Sequence, residues 1–336
     1  MRKYSGFALL AAASLALSGC ASNEALPAPT PAAAVTRVAI SEETFSDVQK
    51  DIFDSVAKAD SEGNTDSLAA RATGPFTTIR GAQYKLKKFL ADSYGLETLS
   101  TTPIQTAISP AQNYPHTAIS VMEAPQGSNL QTISVFEQST ARDNWKIWGA
   151  LDILPGATFP ALKLSDSAAV SIAPDAGDGL VASPQDVLAG YTKAAQTAKN
   201  PDGMTFADDK LRQTLWDGNK TNTEAIGDAG SVEMTFSTAD VDPVTFATDD
   251  GGALVVGQIN FRTKISVTQE DATVTLGSMI GAMATGKADG EIQVKKSLTA
   301  DYTVMVAFHI PADGAKDETI TAVGASDPVL LAVKNG

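Results

Sequence analysis

Cysteine is nearly missing: of 336 residues only Cys20 carries a thiol. No intrachain disulfide can form, and the rest of the chain offers neither a thiol nucleophile nor a Cys-type zinc site. Histidine is almost as scarce, with His116 and His309 alone. Two isolated histidines make poor zinc ligands, H-E-x-x-H does not occur, and both are expected at the surface or at a strand edge. G-x-S-x-G, a Walker loop and a dinucleotide fingerprint are absent as well, so no cofactor and no catalytic set is expected. Positive charge is short: 25 Lys and Arg face 39 Asp and Glu, a net charge of -14. Such a chain repels phosphate backbones and anionic headgroups, which argues against nucleic acid and against an electrostatic hold on a membrane. Past the first twenty residues no window reaches the ~20 apolar residues that span a bilayer. The longest candidate, Val274 to Thr285, is broken by Gly277, Ser278 and Gly281.

What is present starts with an address. Arg2 and Lys3 precede an apolar run from Phe7 to Leu17, and Leu17-Ser18-Gly19-Cys20 closes it. This pattern predicts a lipoprotein signal peptide over residues 1–19, with the small residues Ser18 and Gly19 admitting a peptidase and Cys20 carrying the lipid. Loss of Arg2 and Lys3 takes the mature chain from -14 to -16. Lipid on Cys20 then anchors the chain to the cell membrane, facing the extracytoplasmic side. Residues 20–37 are rich in Ala, Pro and Thr, with Pro27, Pro29 and Pro31 favouring an extended tether.

The remainder holds 43% hydrophobic residues overall, enough for packed cores. Ser41 followed by Glu42 and Glu43 starts a helix, along which Phe45, Val48, Ile52 and Val56 form one apolar stripe. Short and longer helices are expected at 68–72 and 78–94. The period then changes to two, giving strands at 104–108, 118–123, 131–138 and 145–153. Residues 155–183 show no period and read as a linker, with one strand at 159–164. Helices follow again at 184–195 and 206–216, the second stopped by Gly218. Strands at 242–248 and 253–267 flank the tight turn Asp249-Asp250-Gly251-Gly252, and further strands lie at 291–310, 319–323 and 329–333. The expected class is α+β. Two tandem domains, each a helix set on a curved antiparallel sheet, span 38–154 and 184–336, the second with an insertion near 269–290.

Three features could carry function. Acidic clusters at Asp175/Asp178, Asp240/Asp242 and Asp249/Asp250 lack calcium-loop spacing and fit turns better. Trp145 and Trp216 sit on apolar stripes, but Trp148 points opposite Ile147, either lining a cavity or lying under the long helix. The uncharged, Gly-rich run from Thr275 to Gly286, with Met279, Ile280 and Met283, is either a helical turn packed on the sheet or an apolar lid or contact surface.

The signal with its lipobox resembles those of lipoproteins from Gram-positive actinobacteria. The run from Ile104 through Tyr114-Pro115-His116, Ile119-Ser120-Val121 and Gln131–Val135 to Trp145-Lys146-Ile147-Trp148 resembles a domain of unknown function from that group, over most of residues 40–335. The helix-and-sheet plan is also similar to the ketosteroid-isomerase-like, or cystatin-like, cone. These resemblances imply a surface lipoprotein and carry over no catalytic residue. The expectation is a non-catalytic binding or scaffolding ectodomain with an unknown protein or small-molecule partner. The alternatives are a carrier of an apolar molecule, which needs a cavity, and a cone-fold enzyme, which needs a buried carboxylate with a shifted pKa beside a Tyr or His.

Overall fold

The structure, a computed structural model, describes residues 36–336; the signal peptide, Cys20 and most of the tether lie outside the described residues. Helix α1 (Glu42–Glu62) begins as its sequence dictates, with Ser41 accepting a hydrogen bond from the Thr44 N–H and Gly63 closing it in the left-handed region. Phe45, Ile52 and Val56 are buried along its stripe. Short α2 (Thr65–Ala69) and α3 (Gly74–Leu90) follow. Strands β1 (Pro103–Ile108), β2 (His116–Met122), β3 (Thr132–Gln138) and β4 (Lys146–Ile153) form an antiparallel meander, as expected.

Residues 155–183 are not a free linker. They contain a small hairpin, β5 (Leu164–Ser165) and β6 (Ala168–Ala169), whose two alanines are fully buried. The hairpin is bonded to the second half, Lys163 N–H donating to the Ala247 carbonyl and Ala247 N–H to that of Val170. Helix α4 (Pro184–Thr197) has the expected Ser183 cap. Helix α5 (Lys210–Ile226) starts later than expected and runs through Gly218. Asp209 provides the cap by accepting from the Arg212 N–H, and one helical glycine costs only about 1 kcal/mol, too little to end a capped helix. Then come β7 (Gly230–Thr238), β8 (Val244–Ala247), β9 (Ala253–Val267), β10 (Val274–Leu276), α6 (Ser278–Thr285), β11 (Ile292–Val294), β12 (Ser297–Ile310), β13 (Thr321–Ala325) and β14 (Val329–Asn335).

Two long strands form the spine. β9 and β12 pair without interruption from Ala253↔Ile310 to Ser266↔Ser297. Each is long enough to be flanked by two shorter strands end to end, β8 and β7 along β9, β13 and β14 along β12. β7 is an edge, and Gln196 from α4 covers part of it: its amide donates to the Met234 carbonyl (2.8 Å) and accepts from the Phe236 N–H (3.0 Å). A side chain thereby stands in for a neighbouring strand and blunts the edge.

Among the described residues the fold is α+β, with six α-helices and one large antiparallel sheet. Two tandem domains, each closed on its own core, are not shown. β4 pairs with β13 at Ile153↔Gly324 and Asp152↔Ala325, which fuses the strands of both halves into a ten-stranded sheet. The cores follow from this seam. Helices α1 and α2 pack on one face of the meander with Ala118, Met122, Phe136 and Ile147. Helices α4 and α5 pack on β9 and β12 through Val255, Ile259, Val304 and Phe308. Between them lies a core drawn from both halves, in which Leu86, Ile133 and Leu151 share a cluster with Phe246, Val256 and Met305. That core exists because residues such as Leu254 and Val256, on the face of β9 that further along carries Asn260, Arg262 and Lys264, are fully buried.

Each half also ties its helices with a buried Asp–Arg–Tyr set. Arg80 grips Asp60 (Nη2–Oδ2 2.7 Å) while the Tyr84 hydroxyl donates to Asp60 (2.7 Å). Arg212 grips Asp209 (2.6 Å) while the Tyr191 hydroxyl donates to Asp209 (2.9 Å). Burial, followed by the Asp209 charge, pushes the Tyr191 hydroxyl well above its ordinary range, so it remains a donor.

The seam demands a close approach. A Cβ on Gly324 would stand 2.8 Å from the Asp152 carbonyl oxygen and 3.2 Å from Leu151 Cδ1. Gly324→Val should therefore cost about 1–3 kcal/mol by overpacking. Because the shared core spans the seam, calorimetry should show a single transition moved to lower temperature. Loss of the second half alone, with the first half melting unchanged, would contradict the shared core.

Candidate functional site

The residues singled out from the sequence do not form an open site; Trp148, Ile280 and Met283 lie in or against the shared core. Trp148 is 2% exposed in the shared core, its indole under the first turn of α3, where a Cβ on Gly74 would come within 2.7 Å of Cδ1. Helix α6 lies against α3 and β14. Its Ile280 and Met283 pack on the shared core, whereas Met279 is 41% exposed. The glycines of this run have a packing reason, since a side chain on Gly281 would collide with the Gly290 carbonyl. Asp250 belongs to turn chemistry: its Oδ1 accepts from Thr248 Oγ1 and from the Gly252 N–H (3.1 Å). Among the described residues no group of three or more His, Cys, Asp or Glu side chains could hold a metal ion. His309 stands 3.0 Å from Asp250 and is partly exposed.

His116, expected at the surface or at a strand edge, opens β2 but is buried. It is 4% exposed and held between the Gln138 side chain and the Ala111 carbonyl, at 3.3 Å each. Tyr114 and Trp145 close over its two sides, Tyr114 at 3.9 Å between ring centroids and Trp145 at 6.4 Å, both near parallel. The stack runs outward from the buried Trp145 to Tyr114, which is 45% exposed.

Beside this stack opens a cleft of about 520 Å³ between the loop before β2 and the β5–β6 hairpin. Its walls include Ser109, Gln112, Asn113, Pro115, Ser165 and Ser171, and none of its lining residues is ionisable. Tyr114 lies between two lining residues, Asn113 and Pro115. Thr36, where the described chain begins, also lines the cleft, and its N–H is taken by Asp166 (3.0 Å). A second cleft, of about 460 Å³, is lined by Asp208, Asp209, Lys210 and Arg212. There Asp209 and Arg212 are already spent on capping α5 and on each other. Asn113-Tyr114-Pro115 has the composition of a turn and by itself does not point to a site. The cleft needs residues from 36, 109–115 and 165–171, a grouping that no local pattern announces.

A group of carboxylates marks the seam. Glu97, in the loop before β1, has its carboxyl pushed up from 4.5 to about 7, by burial first, then by the negative charge of Asp152, with Asp327 adding to it and Arg80 opposing. Asp152 is raised too, by burial and then by Asp327. Burial likewise raises the nearby Tyr94 hydroxyl. The single nearby guanidinium is occupied elsewhere. Arg80 binds Asp60 through two nitrogens, donates to Gln83 (3.0 Å), and reaches only the backbone carbonyl of Glu97 (2.9 Å).

Two predictions follow from these placements. A carboxyl whose folded pKa lies above its unfolded one contributes stability below the unfolded value, and that stability is lost as pH rises through the folded value. Stability should thus decline between pH 4.5 and about 7, by up to ~3 kcal/mol from Glu97 before solvent screening. Glu97→Gln should raise the melting temperature at pH 8 far more than at pH 5; equal effects at both would place the strain elsewhere. For α6, Ile280→Asp puts a carboxylate against the shared core and should cost about 1–3 kcal/mol in thermal melts, while Met279→Asp should be neutral within ~0.5 kcal/mol. Equal effects from the two would mean that α6 does not seat as described.

No curated protein and no solved structure is matched by the chain. A family model described as a domain of unknown function does match it, over residues 53–326. The matched span runs from within α1 to the end of β13, so it crosses the seam and takes in both halves as one family domain. The chain belongs to the DUF8094 family.

Proposed function

We propose that this chain is a lipid-anchored extracytoplasmic ectodomain that captures a ligand and holds it close to the membrane. The observation that supports this reading best is the position of the uncharged cleft beside Thr36, the residue where the tether predicted from the sequence meets the folded part. A ligand in that cleft is held within one tether length of the lipid, at most about 45–55 Å from the bilayer. The lipobox ending at Cys20 supports the anchor, and the excess of Asp and Glu over Lys and Arg leaves the folded part no grip of its own on anionic headgroups.

Two features of the site fit binding by a preformed surface. The stack from Trp145 through His116 to Tyr114 fixes an aromatic ring at the surface before any ligand arrives. Such preorganisation lowers the ordering cost of association. The cleft walls offer hydroxyls and amides, which orient a ligand without reacting with it at neutral pH. A catalytic reading has one observation in its favour, the raised Glu97 carboxyl with Tyr94 nearby. Those groups sit at the seam, and their raised pKa values have a packing cause.

Cell fractionation tests the anchor. The native chain should sediment with membranes, and Cys20→Ala should appear in the medium or persist as an unprocessed precursor. Retention of a processed Cys20→Ala chain in the membrane fraction would overturn the lipid-anchored reading, whatever the cleft binds.

A further inference from the structure

We propose that the cleft between residues 109–115 and the β5–β6 hairpin binds a neutral saccharide; this rests on the ligand-capture reading above and names its ligand class. The argument starts from charge. Nearly one residue in five of this chain is charged, yet none of the cleft's lining residues is ionisable. An anionic ligand would find no cation in the lining and would meet the repulsion of a chain carrying -14. A cationic ligand would find no carboxylate among the lining residues to pair with; the neighbouring Asp166 stands outside the lining, where it accepts from the Thr36 N–H.

The lining chemistry then narrows the choice. Hydroxyls from Thr36, Ser165 and Ser171 both donate and accept, and the amides of Gln112 and Asn113 offer two donors and a carbonyl each. Ser109 keeps its hydroxyl proton free to donate, since its oxygen accepts from the Thr117 N–H (2.9 Å). A sugar ring presents the complementary set, with vicinal hydroxyls that donate and accept from adjacent carbons. Its other property is an apolar C–H face, and the matching surface is an aromatic ring held flat and half exposed. Tyr114 is not itself a lining residue, but it lies between two that are, Asn113 and Pro115, and it is such a ring, stacked on His116 at 3.9 Å and 45% exposed. Pro110, Pro115 and Val170 add apolar wall without charge. The volume of about 520 Å³ lies within the range of small-ligand sites, about 300–1,000 Å³.

The hairpin that forms the opposite wall turns tightly. Asp166 and Ser167, its two-residue loop, both have positive φ, 48° and 75°. That is the backbone twist that two-residue hairpin turns favour, because it matches the twist of the strands they join. Here the tip is fixed by the Thr36 contact and by the buried Ala168 and Ala169 beneath it. The wall is therefore rigid, as a site for a weakly held polar ligand requires.

Isothermal titration calorimetry on the full chain tests this, in a detergent that has no sugar headgroup. The probes are neutral oligosaccharides of glucose, mannose and N-acetylglucosamine, an anionic oligogalacturonate, and an uncharged Ser/Asn-rich peptide. At least one neutral oligosaccharide should bind at concentrations up to about 10 mM, and Tyr114→Ala or Asn113→Ala should weaken it roughly tenfold or more. Ser165→Trp, which fills the cleft without touching the aromatic stack, should abolish binding. All three positions are exposed, so melting temperatures should stay near that of the native chain. The proposal is overturned if no neutral saccharide binds, if binding survives all three substitutions, or if the anionic glycan or the peptide binds more tightly. Any of these would leave the fractionation result for Cys20 standing.

Discussion

The backbone contact between β4 and β13 is the constraint on which the rest of this molecule depends. It is small, with two paired residues on each strand and the Leu154 N–H donating to the Val323 carbonyl. Yet it decides that a meander of four strands and a spine of two long ones form one sheet. Gly324 permits it by leaving the space that a side chain would fill beside the Asp152 carbonyl. Gly149 does the same one strand surface away, where a Cβ would press on Met305 Sδ at 2.8 Å. With both glycines in place, aliphatic side chains from the two halves interdigitate in a common core, and burial of that apolar surface supplies the favourable term.

The same closeness has an electrostatic cost. Asp152 pairs opposite Ala325, and Asp327 follows two residues later, so joining the strands draws their carboxylates together and toward Glu97. Water that would screen them is partly excluded, and the guanidinium that could neutralise them is committed to Asp60. The fold resolves the conflict by holding a proton on Glu97 more tightly than a free glutamate would. Elsewhere the molecule avoids such conflict by pairing: Asp60 with Arg80, and Asp209 with Arg212, each completed by a tyrosine hydroxyl.

Much of the local structure was legible, for identifiable reasons. The stripe of Phe45, Ile52 and Val56 has helical spacing and ends at a glycine, and it became α1. The four strands of the meander are short apolar stretches separated by turn residues, although burial on both faces leaves β2 and β3 without a clean alternation. Misreadings arose where tertiary structure overrode a local rule. Gly218 has the look of a helix stop, but Asp209 and Arg212 anchor α5 firmly enough to carry it past. Val232, Met234 and Phe236 alternate and could have announced β7, although its polar partners and half-exposed pattern weaken the signal. The seam had no signal at all, because it joins positions 153 and 324 through backbone atoms. The expectation of two closed domains failed to allow for β9 and β12 being buried on both faces over their first and last thirds respectively. The cleft was hidden for a related reason, since its walls come from three separate stretches.

That distance along the chain also sets an order of events during synthesis. The first half can form its meander and seat α1 as soon as it emerges. The face of β2, β3 and β4 that carries Ile119, Ile133 and Leu151 then has cover only from α3, and the rest of that face waits for β12 and β14 until nearly the last residue is made. Pairings between such remote positions form slowly, and an uncovered apolar sheet face invites association with other chains. A nascent chain of this protein thus spends much of the second half of its translation with part of a core exposed, which makes it a natural client for chaperones that shield apolar surface until the C-terminus arrives.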